Sequence, residues 1–242
     1  DEDAPYGEFV NQAMHDNDAL GTVEEIAEAV FVYLMPPKLN EFSVNHVGTD
    51  TEEYLEIIGS PNMDYSDYAV LSIEGDYNSS NSSEGFIDRI VPVGTTDANG
   101  LFLVELPDNA LENGTMTLLL VKDNTGVTGN DIDTDDDGEI DVTYWSEIVD
   151  AVAIHDGGVD DLTYGTPVLG VAYDGFAYAP GGASRFPDGF DTDSASDWVR
   201  NDFDLAGIPG FLGTPEYGEA YNTPGEFNKL VPFTVYLPLI FR

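Results

Sequence analysis

Positions 129 to 141 read GNDIDTDDDGEID, with six aspartates among the eleven residues from 131 to 141. Counted from Asp133, the carboxylates of Asp135 and Asp137 fall at positions 3 and 5 of a calcium loop. Gly138 takes the sharp-turn position 6, Glu139 position 7 by its carbonyl, and Asp141 position 9. A hard divalent cation takes about six to eight oxygen ligands, and alternate residues followed by glycine bring several of them to one point. The spacing therefore predicts bound calcium, with magnesium and sodium as alternatives. Carboxylates at such density also repel one another unless a cation lies between them. A bidentate Glu is expected at position 12, but Tyr144 stands there. Asp131, Glu147, Asp150 or a residue from another loop must then close the shell. Without an ion, the same residues form an acidic surface loop.

Other carboxylates carry weaker patterns. PDGFDTDSASDW gathers Asp188, Asp191, Asp193 and Asp197 without the D-x-D-x-D-G order, so Asp191 and Asp193 are metal candidates against a solvated loop. Asp156, Asp160 and Asp161 are weaker again. Glu41 with Glu53 or Glu56 could act as general acid and base, because paired carboxylates split their pKa values. Their positions at strand ends favour a structural role instead. His15, His46 and His155 lie in three separate segments and read as surface or loop histidines. No G-x-S-x-G, P-loop, H-E-x-x-H or G-x-G-x-x-G pattern occurs. The expectation is a protein that is not an enzyme.

Charge and composition narrow the partners. The 242 residues hold 47 Asp and Glu against 7 Lys and Arg, a formal net charge of -40, with 42% hydrophobic residues. That charge repels nucleic acids and anionic membrane surfaces and attracts cations. A salt-loving host would select the same acidity. There is no cysteine, so neither a disulfide nor a thiolate zinc site can form. No apolar run approaches the roughly 20 residues that span a bilayer. The chain begins at Asp1 with no charged and apolar leader, which suits a mature extracellular or cell-surface form. Asn78, Asn81 and Asn113 each open a glycosylation triplet.

These residues need a scaffold. Residues 1–21 read as an acidic arm. From 22 to 34, Val23, Ile26, Ala27, Val30, Phe31 and Leu34 recur at helical spacing behind the capping-box pair Thr22 and Glu25, which predicts a short amphipathic helix. The run VFVYL at 30 to 34 keeps a strand as the alternative. Eight runs then predict strands: KLNEFSV, EEYLEIIG, YAVLSIEG, GFIDRIVPV, GLFLVEL, MTLLLVKD, IVDAVAIHD and GFAYAP. The expected fold is an antiparallel β-sandwich or barrel with long loops. In the last ten residues Phe233, Val235, Leu237, Leu239 and Phe241 share one face of a strand, and Pro238 confines that strand to an edge.

The stretch from KLNEFSVNHVGTDTEEYLEIIG to MDYSDYAVLSIEGD resembles the opening of a lamin-tail domain, with Asn40, Glu41, Glu53, Tyr54, Leu55 and Glu56 at the patterned positions. Trp198 in SDWVRNDFD and the ending NTPGEFN match its later part, so the resemblance covers about residues 38–228. It implies an immunoglobulin-like β-sandwich that binds or builds without catalysing. In secreted bacterial proteins such a domain often accompanies a nuclease domain, which is absent from this sequence. The expected organisation is an arm and helix over 1–37, the sandwich with its calcium loop over 38–228, and an apolar strand over 229–242. The expected function is a secreted, calcium-binding structural or surface protein. Its residues 233–242 either fold back on their own sandwich or add to a neighbour's sheet edge, giving a homo-oligomer or filament. The alternatives are a module that recognises a glycan or protein, or an accessory to a nuclease system.

Overall fold

The structure is a computed structural model and describes residues 9–10, 30–31, 35–77 and 83–232. The chain divides into residues 1–35 and 36–242. In the first unit β1 (Phe9–Val10) and β2 (Val30–Phe31) pair antiparallel. The helix expected over 22 to 34 is not seen: Val30 and Phe31 are extended, as β-branched and aromatic residues prefer. The rest of that helix, the rest of the acidic arm and the terminal strand at 233–242 lie outside the described residues.

The second unit is mainly β, with two five-stranded sheets. One has the order β10 (Val168–Gly170), β9 (Glu147–His155), β8 (Met116–Lys122), β5 (Tyr68–Glu74), β6 (Ile87–Pro92). The other runs β12 (Trp198–Arg200), β11 (Gly182–Arg185), β3 (Lys38–Ser43), β4 (Tyr54–Ile58), β7 (Leu101–Glu105). All pairings are antiparallel except β9 with β10, which is parallel. Seven of the eight expected runs form β3 to β9. The eighth, GFAYAP, is a loop, because its aromatic side chains Phe176 and Tyr178 pack on the Arg200 guanidinium. The strands β10, β11 and β12 are three or four residues long, too short to show alternation.

The two sheets share a core. Val70, Leu118, Leu120, Val152 and Ile154 of the first sheet cluster with Leu39, Phe42, Leu55, Ile57 and Trp198 of the second. Side chains alternate across a strand, so Leu71, Ile73, Leu119 and Val121 point the other way. They are buried too, in a second cluster with Ile132 and Tyr164, bordered by Ile140, Tyr144 and Trp145. Burial on both faces explains why LLLV at 118 to 121 is an unbroken apolar run. The acidic stretch between β8 and β9 is thus the cover of one sheet. Burying Ile132 alone is worth roughly 1.5–3 kcal/mol.

A buried ion pair links the sheets. Arg185 on β11 donates through Nη2 to both carboxylate oxygens of Asp150 on β9, at 3.0 and 2.8 Å. Its Nε donates to the Leu39 carbonyl at 2.9 Å, and its Cζ lies 4.6 Å from the Trp198 ring centroid. Burial drives the Asp150 carboxyl up to about 6 although Arg185 opposes it.

Candidate functional site

The acidic loop closes at Ile132. The Ile132 N–H donates to the Gly85 carbonyl at 2.9 Å, and the Ile132 carbonyl accepts from the N–H groups of Asp141 (2.8 Å) and Val142 (3.2 Å). Between these ends the backbone turns at Asp136 (φ 54°) and Gly138 (φ 88°), the left-handed region that glycine enters freely. Asp133 is fully buried. Its Oδ2 accepts from Gly138 N–H at 2.8 Å and from the Tyr164 hydroxyl at 3.1 Å, while Oδ1 accepts from Asp137 N–H at 3.2 Å. Each carboxylate oxygen has two acceptor sites, so Oδ1 keeps one. Asp141 Oδ2 accepts from the N–H and hydroxyl of Thr134, at 3.1 and 2.7 Å, which leaves Oδ1 unused by those donors.

Asp133, Asp135 and Asp141 each offer an oxygen within 4.8 Å of the others. Positions 1, 3 and 9 of the expected loop therefore converge. Asp137 is not one of this trio; its carboxylate accepts from Glu139 N–H at 2.9 Å, and Glu139 is exposed. Asp131 accepts from Asp133 N–H at 3.0 Å; burial and the neighbouring aspartates Asp136, Asp133 and Asp141 raise its carboxyl. The Asp135 carboxyl is raised by the charges of Asp137 and Asp141 before any effect of burial. Glu147 opens β9 opposite Lys122, and Tyr144 packs on the second core cluster.

The cluster at 188 to 197 is occupied from within. Asp191 pairs with Lys38 and with Arg185 (2.6 Å). Burial would raise its carboxyl, but the hydrogen bond from Lys38, the Asp193 N–H and Arg185 together bring it down to about 2. Asp193 donates its N–H to Asp191, Asp188 accepts from Asn40 and Asn228, and Asp197 caps the turn at Thr192 and Ser194.

A second group of carboxylates also converges. Asp76, Asp156 and Asp161 each offer an oxygen within 4.8 Å of the others, around the Thr115 side chain. Asp156 and Asp161 carry a faint signal in the sequence. Asp76 carries none, because the β5–β8 pairing brings it to them across about 80 residues of chain. Asp160 is not in the group.

Glu41 and Glu56 face each other on β3 and β4, and both are buried. Glu41 accepts from the Ser184 hydroxyl (2.9 Å), Asn201 Nδ2 (3.2 Å), and the N–H and hydroxyl of Thr223 (both 3.0 Å at their nearest). Glu56 accepts from Asn40 Nδ2 at 2.9 Å and Gly225 N–H at 2.7 Å. Burial raises Glu41 to about 7; burial, with the Glu41 charge adding to it, raises Glu56 to about 8. No Lys or Arg pairs with either among the described residues. Glu53 lies elsewhere and accepts from the N–H groups of Ala110 and Leu111.

His46 is buried: Nε2 accepts from the N–H groups of Thr51 and Glu52, so Nδ1 carries the proton and donates to the Val47 carbonyl at 3.1 Å. His155 Nδ1 accepts from Gly157 N–H. His15, Asn78 and Asn81 lie outside the described residues, and Asn113 Nδ2 donates to Asp50 at 2.7 Å. Compared with protein-family models, curated proteins and solved structures, the chain matches none.

Proposed function

We propose that this chain is a calcium-binding structural or surface module whose cation holds the acidic cover on the β-sandwich. One observation carries the reading: the D-x-D-x-D-G loop folds so that Asp133, Asp135 and Asp141 converge within 4.8 Å, with Asp133 buried at its base. The repulsion that raises Asp135 is what a cation would relieve. Ile132 and Ile140 belong to the same loop and to the apolar cover of β5 and β8, so binding and packing are coupled.

Tyr144 in place of the closing Glu leaves the loop short of ligands, which argues for weak binding, with Kd roughly 10⁻⁴–10⁻³ M as in extracellular modules. Calcium at that level exists outside cells, and this supports the extracellular assignment. The lamin-tail resemblance supports an immunoglobulin-like variant of the sandwich, because Glu41 and Glu56 engage the matching ending at Thr223 and Gly225. Glu41 and Glu56, the carboxylates weighed as acid and base, are enclosed by donors of the chain itself, which supports a non-catalytic role. Assembly through 233–242 rests on the alternation of its apolar residues.

Calorimetric calcium titration of the wild-type chain and of Asp135→Asn, at fixed ionic strength, tests the proposal. One saturable site that the substitution weakens about tenfold supports it. A response that sodium reproduces at equal ionic strength refutes it.

A further inference from the structure

One end of the sandwich opens into a cleft of about 380 Å³, within the range of roughly 300–1,000 Å³ typical of ligand sites. Val44, beyond β3, and Ile154, near the end of β9, line it together with Tyr178, Phe203 and Asp156. Tyr178 and Phe203 are 55% and 43% exposed, a large fraction for aromatic side chains. Asp156 also belongs to the carboxylate group with Asp76 and Asp161. Gly114, another lining residue, lies against Asp76, since a Cβ there would stand 1.8 Å from Asp76 Oδ2.

These carboxylates are only partly satisfied. Asp76 Oδ1 accepts from Thr115 N–H, and Asp156 Oδ1 accepts from Gly158 N–H. Asp161 accepts from Tyr77 N–H and the Thr115 hydroxyl. Among the described residues no donor reaches Oδ2 of Asp76 or of Asp156. Among the described residues no Lys or Arg forms a salt bridge with any of the three. Burial, and then the charges of Asp161 and Asp156, raise the Asp76 carboxyl.

We propose that this cleft binds an arginine side chain presented by a partner polypeptide. A planar guanidinium reaches two carboxylate oxygens at once and stacks on aromatic faces, which an ammonium or a metal ion does less well. A calcium ion would find aromatic walls in the cleft that supply no oxygen. The chain already holds one of its own arginines with the proposed chemistry. Arg200 donates to Asp174 through Nε and Nη2 (2.5 and 2.9 Å), with its Cζ 4.3 and 5.0 Å from the ring centroids of Phe176 and Tyr178. The net charge of -40 draws basic segments to the surface, and the cleft provides the specific seat.

The test is a titration of the whole chain with a blocked Gly-Gly-Arg-Gly-Gly peptide, followed by amide chemical shifts, against the same peptide carrying neutral citrulline. The expected result is saturable shifts at Asn45, Gly114, Asp156 and Gly181, at least tenfold weaker binding of the citrulline peptide, and a comparable loss in Asp156→Asn. Equal binding of the two peptides, shifts spread over the acidic surface, or full binding by Asp156→Asn overturns the proposal. So does calcium that occupies these carboxylates and is not displaced by the peptide.

Discussion

Replacing both Glu41 and Glu56 by glutamine separates the cost of burying two opposed carboxylates from every other effect of pH. Glu41 rises from 4.5 to about 7 and Glu56 from 4.5 to about 8, which corresponds to about 3 and about 5 kcal/mol. Glu41 ionises first, and the Glu56 value already includes the Glu41 charge, so the two steps add and about 8 kcal/mol is the ceiling for the pair. Above pH 4.5 the unfolded carboxyls are ionised while the folded ones keep their protons, so unfolding releases protons and stability falls as pH rises. The fall starts near 4.5 and ends once pH passes the folded values of about 7 and 8. Urea unfolding in chelator, at constant ionic strength from pH 5 to 9, measures it. The wild type should lose roughly 3–6 kcal/mol more than the double variant over that range, and the double variant should be the less stable at pH 5. There it lacks an acceptor for one of the donors from Thr223, Asn40 or Gly225. Asp150, raised to about 6, and Asp191, lowered to about 2, titrate in both proteins and cancel in the difference. Parallel curves from pH 5 to 9 would refute the reasoning, because the two carboxylates would then ionise in the fold without penalty.

Three further outcomes are expected. Arg185→Met strands Asp150 and Asp191 beside the core and should cost about 3–5 kcal/mol in urea unfolding; a loss below 1 kcal/mol would mean that the pair contributes little. Calcium at ten times its Kd should add about 1.4 kcal/mol to the wild type, and Asp133→Asn should abolish that gain while also lowering stability in chelator, since Asp133 organises the Gly138 turn. Deleting residues 233 to 242 should convert any oligomer seen by light scattering into a monomer, and an unchanged mass would end the strand-addition proposal.

Local patterning was enough to locate β3 to β9, because each strand carries its own apolar residues and turn signals. It also located the acidic loop in which Asp133, Asp135 and Asp141 converge, because these residues follow one another in the chain. The short strands β10 to β12 could not be read that way, as three or four residues show no period and their pairing is decided by neighbours already in place. GFAYAP looked like a strand because composition cannot tell a pleated surface from a wall around Arg200. The run VFVYL fits both a helix and a strand, and pairing with Phe9 and Val10 decides for the strand at Val30 and Phe31. Long-range contacts alone join Asp76 to Asp156 and Asp161, set Arg185 between Asp150 and Asp191, and enclose Glu41 and Glu56 beneath Thr223 and Gly225. The reason is physical: a carboxylate in sequence is a charge that prefers water, and only the chain folded over it determines whether it meets a donor, a cation or another carboxylate.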